Sequence, residues 1–270
     1  MESASVTERV SDRPAFTMGD VHANAGYAGP AFQFGGESFV RASAFVQAIS
    51  RAGQDAGSLT ARPSIRGGWA LARTLISLPR IEVVLTDEPS GVVLRQYLCV
   101  RTHGLRSHLL ARGVLAIPPD PGSYLAGRSR RALRTNMARA QALGVSCQDL
   151  VDADKAGIAI AQLMEVGLIG PLNTASTERW LLAVDRAGAA VGGALVTVDR
   201  HWAMLSMVVA RSSPIRYALH AELVRCLSGL GVQYLFTRSR SALALPPGLQ
   251  YLQSVLGYTV VNLKLSSRPA

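Results

Sequence analysis

The sequence predicts an α/β protein, with a mixed sheet flanked by helices in its C-terminal half and a smaller α/β region before it. Two observations carry this. Between Arg179 and Val209, three apolar runs follow one another across two short polar turns, Arg186 to Gly188 and Asp199 to Arg200, which is the pattern of an antiparallel meander. The third run, Trp202 to Val209, then passes through Ala210 to Ile215 into a helical stretch, and a strand, a helix ending at Gly257 and a last strand, TVVNLKL, complete the chain.

Composition narrows the classes. A chain of 270 residues with 49% hydrophobic and 17% charged residues has ordinary globular usage and can bury a substantial core. No apolar run reaches the roughly 18 residues of a membrane span. The first residues, MESASVTERVSDRPAF, mix acids with bases and lack an apolar stretch, so they do not read as a secretory signal. Cys99, Cys147 and Cys226 are far apart and form no C-x-x-C, so neither a disulfide framework nor a metal site is expected. Buried, reduced thiols in a cytoplasmic protein are the expectation. The net charge of +10 is nearly all arginine, with Lys155 and Lys264 the only lysines. Arginine suits phosphate, in a nucleotide or a nucleic acid. An arginine-biased codon usage gives the same count.

Residues 1–36 show no period and read as a disordered leader. Glu37 to Ala52 and Trp69 to Leu78 have apolar residues at helical spacing. Arg80 to Thr86 and Gly91 to Thr102 read as strands around Asp87-Glu88-Pro89-Ser90-Gly91, Leu105 to Ala111 as helical, and Val114 to Ile117 as a short apolar run. His103 and His108 are five apart, a poor ligand spacing. The region 37–120 contains no recognisable site. It is either a degenerate second copy of the C-terminal fold or a supporting region.

Region 121–270 opens with PGSYLAGRSRRALRTNMARAQALG. Leu133, Met137 and Ala140 make a narrow apolar stripe, Arg128, Arg131 and Arg139 fall opposite, Arg130 and Arg134 flank them, and Gly144 stands where a helix ends. The arginine face is either simply solvated or a contact for polyphosphate or nucleic acid. Then come a strand from Val145 to Val151, a helix from Asp152 to Val166, a short helix near Thr174 to Arg179, and the meander. Gly192-Gly193 inside a strand marks a bulge or a close backbone approach.

This order from Val145 to Leu265 resembles the GNAT superfamily, the acyl-CoA-dependent N-acyltransferases. The LRxNxxRAxxxG stretch resembles the arginine-rich helix of FemAB-like transferases, several of which take an aminoacyl-tRNA as donor. The resemblance implies that Val208 and Val209 end a strand whose backbone holds the pantetheine arm, in a cleft between Val208 and Tyr234 of the next strand. It also implies that the following loop cradles a pyrophosphate at a helix N-terminus. The family pattern Q/R-x-x-G-x-G/A falls on Ser213-Pro214-Ile215-Arg216-Tyr217-Ala218, where only Ala218 keeps it. Arg216 replaces a glycine, and its guanidinium or that of Arg211 can bind phosphate in compensation; the alternative is a loop that only connects strand to helix. The family's usual acid, a tyrosine four residues before the closing Gly-aromatic pair, is Gln253 here, with Tyr251 nearby. His220, Glu222 and Asp185 are the remaining acid–base candidates. The reaction implied is transfer of an acyl group from acyl-CoA, acetyl-CoA by default, to a small-molecule or peptide amine. The alternatives are a FemAB-like aminoacyl-tRNA donor held through Arg128, Arg131 and Arg139, and a non-catalytic nucleic-acid-binding or scaffold protein.

Overall fold

The computed structural model of the chain describes residues 37–54, 65–102, 105–106, 111–148, 151–152, 157–170, 177–239 and 241–266. The expectations for residues 1–36, for His103 and His108 and for Thr174 to Ser176 lie outside these.

Helices α1 (Glu37–Gln54) and α2 (Ile65–Ser77) pack on each other, with Phe39 and Ala42 of α1 in the core. Strand β1 (Arg80–Val83) follows. The strand expected over Gly91 to Thr102 is instead helix α3 (Pro89–Cys99), and only β2 (Arg101–Thr102) is extended. Pro89 in the first turn has the helical φ built in, and Gly91, Leu94 and Leu98 recur at helical spacing on the buried side. The β-branched pair Val92-Val93 hides that period. Leu105–Arg106, expected to be helical, is β3, antiparallel to β2. Strand β4 is Arg112–Ala116.

Helix α4 (Pro121–Tyr124) is capped by Asp120, whose carboxylate accepts the N–H groups of Gly122 and Ser123 at 3.0 and 3.1 Å. A 3-10 turn, Arg128–Arg130, leads into α5 (Arg131–Ala142). Gly144 takes the left-handed φ of 72° just past its end. The single strand expected from Val145 to Val151 is two short ones, β5 (Ser146–Cys147) and β6 (Val151–Asp152). Asp152 belongs to β6, so the next helix, α6 (Gly157–Glu165), starts later than expected. Glu178 and Arg179, expected to close a short helix, open β7 (Glu178–Val184). Then come β8 (Ala190–Asp199), β9 (Trp202–Ala210), α7 (Ser213–Gly229), β10 (Tyr234–Thr237), α8 (Pro247–Leu256) and β11 (Thr259–Leu265).

The strands form a mixed sheet in the order β1-β11-β4-β10-β9-β8-β7, with β5 and β6 both along the outer edge of β7. β9 and β10 run parallel, as do β1 and β11, while β4 lies antiparallel between β10 and β11. β1 and β4 thus share a sheet with the strands of the C-terminal half. The expected class, a mixed sheet flanked by helices, is the one observed. One face is covered by α1, α5, α7 and α8. The other is covered by α3, through Leu94 and Leu98, and by α6, through Leu163 against Trp180. The cysteines, expected to be buried, are not: Cys99 is exposed and Cys147 and Cys226 are half-buried, and they form no disulfide with one another.

Candidate functional site

The two parallel strands at the centre of the sheet part company. β10 pairs with β9 from Tyr234↔Trp202 to Thr237↔Leu205, and the Arg238 N–H still reaches the Leu205 carbonyl at 2.9 Å. Beyond Leu205, β9 keeps only β8, to which it pairs as far as Ala210↔Gly192. The parting coincides with a bulge: Leu205 pairs with Val196 and Met207 with Leu195, which leaves Ser206 as the extra residue. Burial changes at the same point, from buried over Trp202 to Leu205 to half-buried over Ser206 to Ala210. On the side facing away from β8, the backbone groups of this segment have no ladder partner among the described residues. The reading of the sequence put a cleft between Val208 and Tyr234. Those two are not opposed, because Tyr234 pairs with Trp202 at the far end of β9. The opening lies where the strands part, past Leu205 and Thr237.

The N-terminus of α7 directly follows this open segment of β9. Arg211 N–H donates to the Val191 carbonyl at 3.0 Å, Ser212 is the extended N-cap residue, and Arg216 N–H makes the first turn's bond to the Ser212 carbonyl at 3.2 Å. Pro214 has no N–H, so Ser213 and Ile215 supply the unspent backbone donors of this end. The side chains repeat the theme: Ser206 Oγ, Ser212 Oγ and Arg216 Nε are buried without a hydrogen-bond partner among the described residues. Such groups cost about 1–3 kcal/mol each if left unsatisfied. Arg211 is exposed, and Ala218 is half-buried one turn further on. Tyr217 is buried, and desolvation followed by nearby Tyr251 raises its phenol pKa. Val208 packs with the α7 side of the core and Val209 with the opposite side, so it is the backbone between them that faces the opening.

The acid–base candidates are not brought together. His220 is wholly buried, with Nδ1 3.1 Å from Tyr124 Oη and Nε2 3.0 Å from Tyr258 Oη. Tyr124 donates its one proton to the Leu256 carbonyl at 2.9 Å. Nδ1 therefore carries the ring proton and donates to Tyr124, and Nε2 accepts from Tyr258. Burial, then the charge of Arg130, depresses the His220 pKa to about 3. Both nitrogens are engaged and the ring stays neutral, which leaves no face for an amine. Glu222 lies about 13 Å along α7 from its start and pairs with Arg225. Tyr251 is 65% exposed on α8. Asp185 accepts the Ala187 and Ala189 N–H groups in the β7–β8 turn.

Gln253 has a different surrounding from the tyrosine it replaces in the family pattern. It is buried, and Nε2 donates to Thr237 Oγ1 at 3.2 Å, which lies 2.8 Å from Ser239 Oγ. Its Oε1 has no partner among the described residues and packs on the backbone of Gly113. This chain of polar groups ends where β9 and β10 separate. Its trace in the sequence is slight: one amide on the buried side of a helix and a Thr-x-Ser after a strand.

On the arginine helix, Leu133 is fully buried and Met137 half-buried, while Arg128, Arg131, Arg134 and Arg139 are exposed. Arg130 turns inward, 5.1 Å over the Tyr124 ring, and donates to the Val255 carbonyl at 2.7 Å. Its guanidinium covers Gly257, where a Cβ would sit 1.8 Å from Nη2 and φ is 83°. Gly257→Ala is therefore expected to destabilise the protein by about 1–3 kcal/mol, from the left-handed strain and the displaced guanidinium. Urea denaturation checks it. A second depression, lined by Glu88, Ser90, Asp152, Thr177 and Arg179, lies at the Val198 end, remote from Ser206 to Ala210.

No protein-family model matches the chain, and no curated protein matches it. Similar solved structures include L-PGS from Bacillus licheniformis, at 11% identity over 47% of this chain and 44% of that one, with a TM-score of 0.39. The C-terminal domain assigned to a lysylphosphatidylglycerol synthetase of Agrobacterium fabrum matches at 12% identity over 57% and 59% of the two chains, with a TM-score of 0.42. A conserved protein of unknown function from Bacteroides thetaiotaomicron matches at 11% over 56% and 59%, with a TM-score of 0.39. The chain spans about half the length of these structures.

Proposed function

We propose that the chain is an acyltransferase that moves an acyl group from an activated thioester or ester donor to an amine. The observation that supports this is the open edge of β9 after Leu205, set beside the α7 N-terminus with its unsatisfied Ser206, Ser212 and Arg216. An extended donor arm with amide groups can pair with that edge as a strand would. Arg211, Arg216 and the free N–H groups of Ser213 and Ile215 then meet its phosphates. Acyl-CoA is the donor class that matches both features. Phosphate is held here by guanidinium more than by a glycine cradle, since Arg216 occupies the position where a glycine brings backbone close. With His220 sealed in the core, proton removal from the amine falls to water, and the Gln253–Thr237–Ser239 chain polarises the end of the cleft.

A second reading, an aminoacyl-tRNA donor, is favoured by Arg128, Arg131 and Arg139. They are exposed and make no ion pair among the described residues. A thermal-shift series with CoA, acetyl-CoA and tRNA tests both, since a ligand at 100 times its Kd adds about 2.7 kcal/mol. A shift with CoA supports the first donor; a shift with tRNA alone supports the second. A shift with none of them contradicts the transferase reading and leaves a non-catalytic scaffold. Changing the three arginines to glutamine is expected to alter stability by less than about 0.5 kcal/mol. If tRNA binds, the same change lowers its affinity and flattens its salt dependence.

A further inference from the structure

Helix α2 presents apolar side chains on two sides. Leu71, Leu75 and Thr74 face the core. On the other side, Ile65, Trp69 and Ile76 are 82%, 74% and 77% exposed, with Ala72 exposed among them. At 100° per residue these four lie within about 60° of one another, a continuous stripe along three turns. Arg66 and Arg73 border the stripe on the same exposed side, and neither makes an ion pair or hydrogen bond among the described residues. The helix, IRGGWALARTLIS, carries no acid. The other two tryptophans, Trp180 and Trp202, are buried to 0% and 3% exposure, so leaving Trp69 in water is not how this chain treats indoles elsewhere.

We propose that this face of α2 docks onto a bilayer surface that carries anionic lipid. Trp69, Ile65 and Ile76 enter the boundary between headgroups and acyl chains, and Arg66 and Arg73 meet lipid phosphates beside them. The charge pattern selects this occupant. A second copy of the chain, related by a two-fold axis, would set the same arginines against each other with no carboxylate on the helix to answer them. A phosphate-bearing surface answers both, and the net charge of +10 draws the whole chain toward it. No helix among the described residues is long and apolar enough to cross a membrane, so the contact is peripheral. It lies outside the cleft and does not depend on the acyltransferase reading.

Trp69 makes the test direct, because it is the exposed one of the three tryptophans. The full chain is mixed with vesicles of phosphatidylcholine alone and of phosphatidylcholine with phosphatidylserine. With the anionic vesicles, the emission is expected to shift to the blue, acrylamide quenching to fall and the protein to co-sediment; with phosphatidylcholine alone it is not. Ile65→Ser with Ile76→Ser abolishes the shift. Arg66→Gln with Arg73→Gln weakens binding roughly 25-fold, at about fivefold per basic residue. All four side chains are exposed, and an unchanged melting temperature certifies the fold of each variant. No shift with anionic vesicles overturns the proposal. So does an equal shift with phosphatidylcholine alone, or a shift in buffer that grows with protein concentration alongside the sedimenting mass, which identifies a second copy as the occupant.

Discussion

Trp180→Ala is expected to lower stability by about 3–5 kcal/mol, the range for deleting a large aromatic from a closed core. Trp180 is fully buried on β7, in a cluster with Leu163, Ile169, Leu182, Ala190 and Leu195 that holds α6 against the sheet. The indole lies over Gly193, where a Cβ would stand 2.9 Å from Cζ3. That close approach explains a glycine in the middle of β8. Nε1 has no hydrogen-bond partner among the described residues, so the loss is one of packing and apolar burial rather than of a polar contact. Trp180→Phe, which keeps a ring on Gly193, is expected to cost about half as much. Met207 and Val209 pack against the same cluster, so loosening it reaches the open segment of β9. Urea unfolding measures it, and the midpoint is expected to fall with the slope unchanged. A loss under about 1 kcal/mol would mean that α6 does not close this face.

Acidification is expected to destabilise the fold through His220. Its folded-state pKa is about 3, depressed by burial and then by Arg130, against about 6.5 in the unfolded chain. Between those values the unfolded state binds a proton that the folded state refuses. The contribution is therefore complete above about pH 6.5 and is lost as pH falls toward 3, at about 1.4 kcal/mol per unit. By pH 4 the loss from this one residue is about 3 kcal/mol. His220→Phe removes the proton site but strands the Tyr258 hydroxyl, at a cost of about 1–3 kcal/mol at neutral pH. The variant thus starts less stable and loses less on acidification, so the two stabilities converge as pH falls. Carboxylates act equally in both proteins and cancel in the difference. A difference that stays constant from pH 7 to 4 would show that His220 is not held neutral in the core.

The meander and its corners are legible in the sequence because their signals are local. The turn residues fall where the chain reverses, with Gly188 at φ 81° and Arg200 at φ 47°. The α7 helix, the late helix ending at Gly257 and the last strand are legible for the same reason. What is not legible is set by partners far along the chain. Nothing in VLAI announces that β4 will sit between β10 and β11, more than a hundred residues later. The parting of β9 and β10 is equally non-local, although Ser206, the lone polar residue in an apolar run, marks its bulge. His220 looks like a base on a helix until Tyr124 and Tyr258 enclose it. Arg130, one of five arginines between Arg128 and Arg139, turns inward because Tyr124 and the end of α8 offer it a ring and a carbonyl.

The central claim is that the donor lies along the open edge of β9 with its phosphates at the α7 N-terminus. Isothermal titration of CoA against the wild type and Arg216→Ala tests it most directly. Arg216 is half-buried with an unpartnered Nε, so its removal subtracts a charged hydrogen bond without breaking one the fold already uses. The account predicts binding by the wild type and a loss of about 1.5–3 kcal/mol in the variant, the range for a hydrogen bond to a charged group. Equal affinities, or no binding to either protein, would contradict it, and the segment from Ala210 to Ala218 would then be a connector between strand and helix.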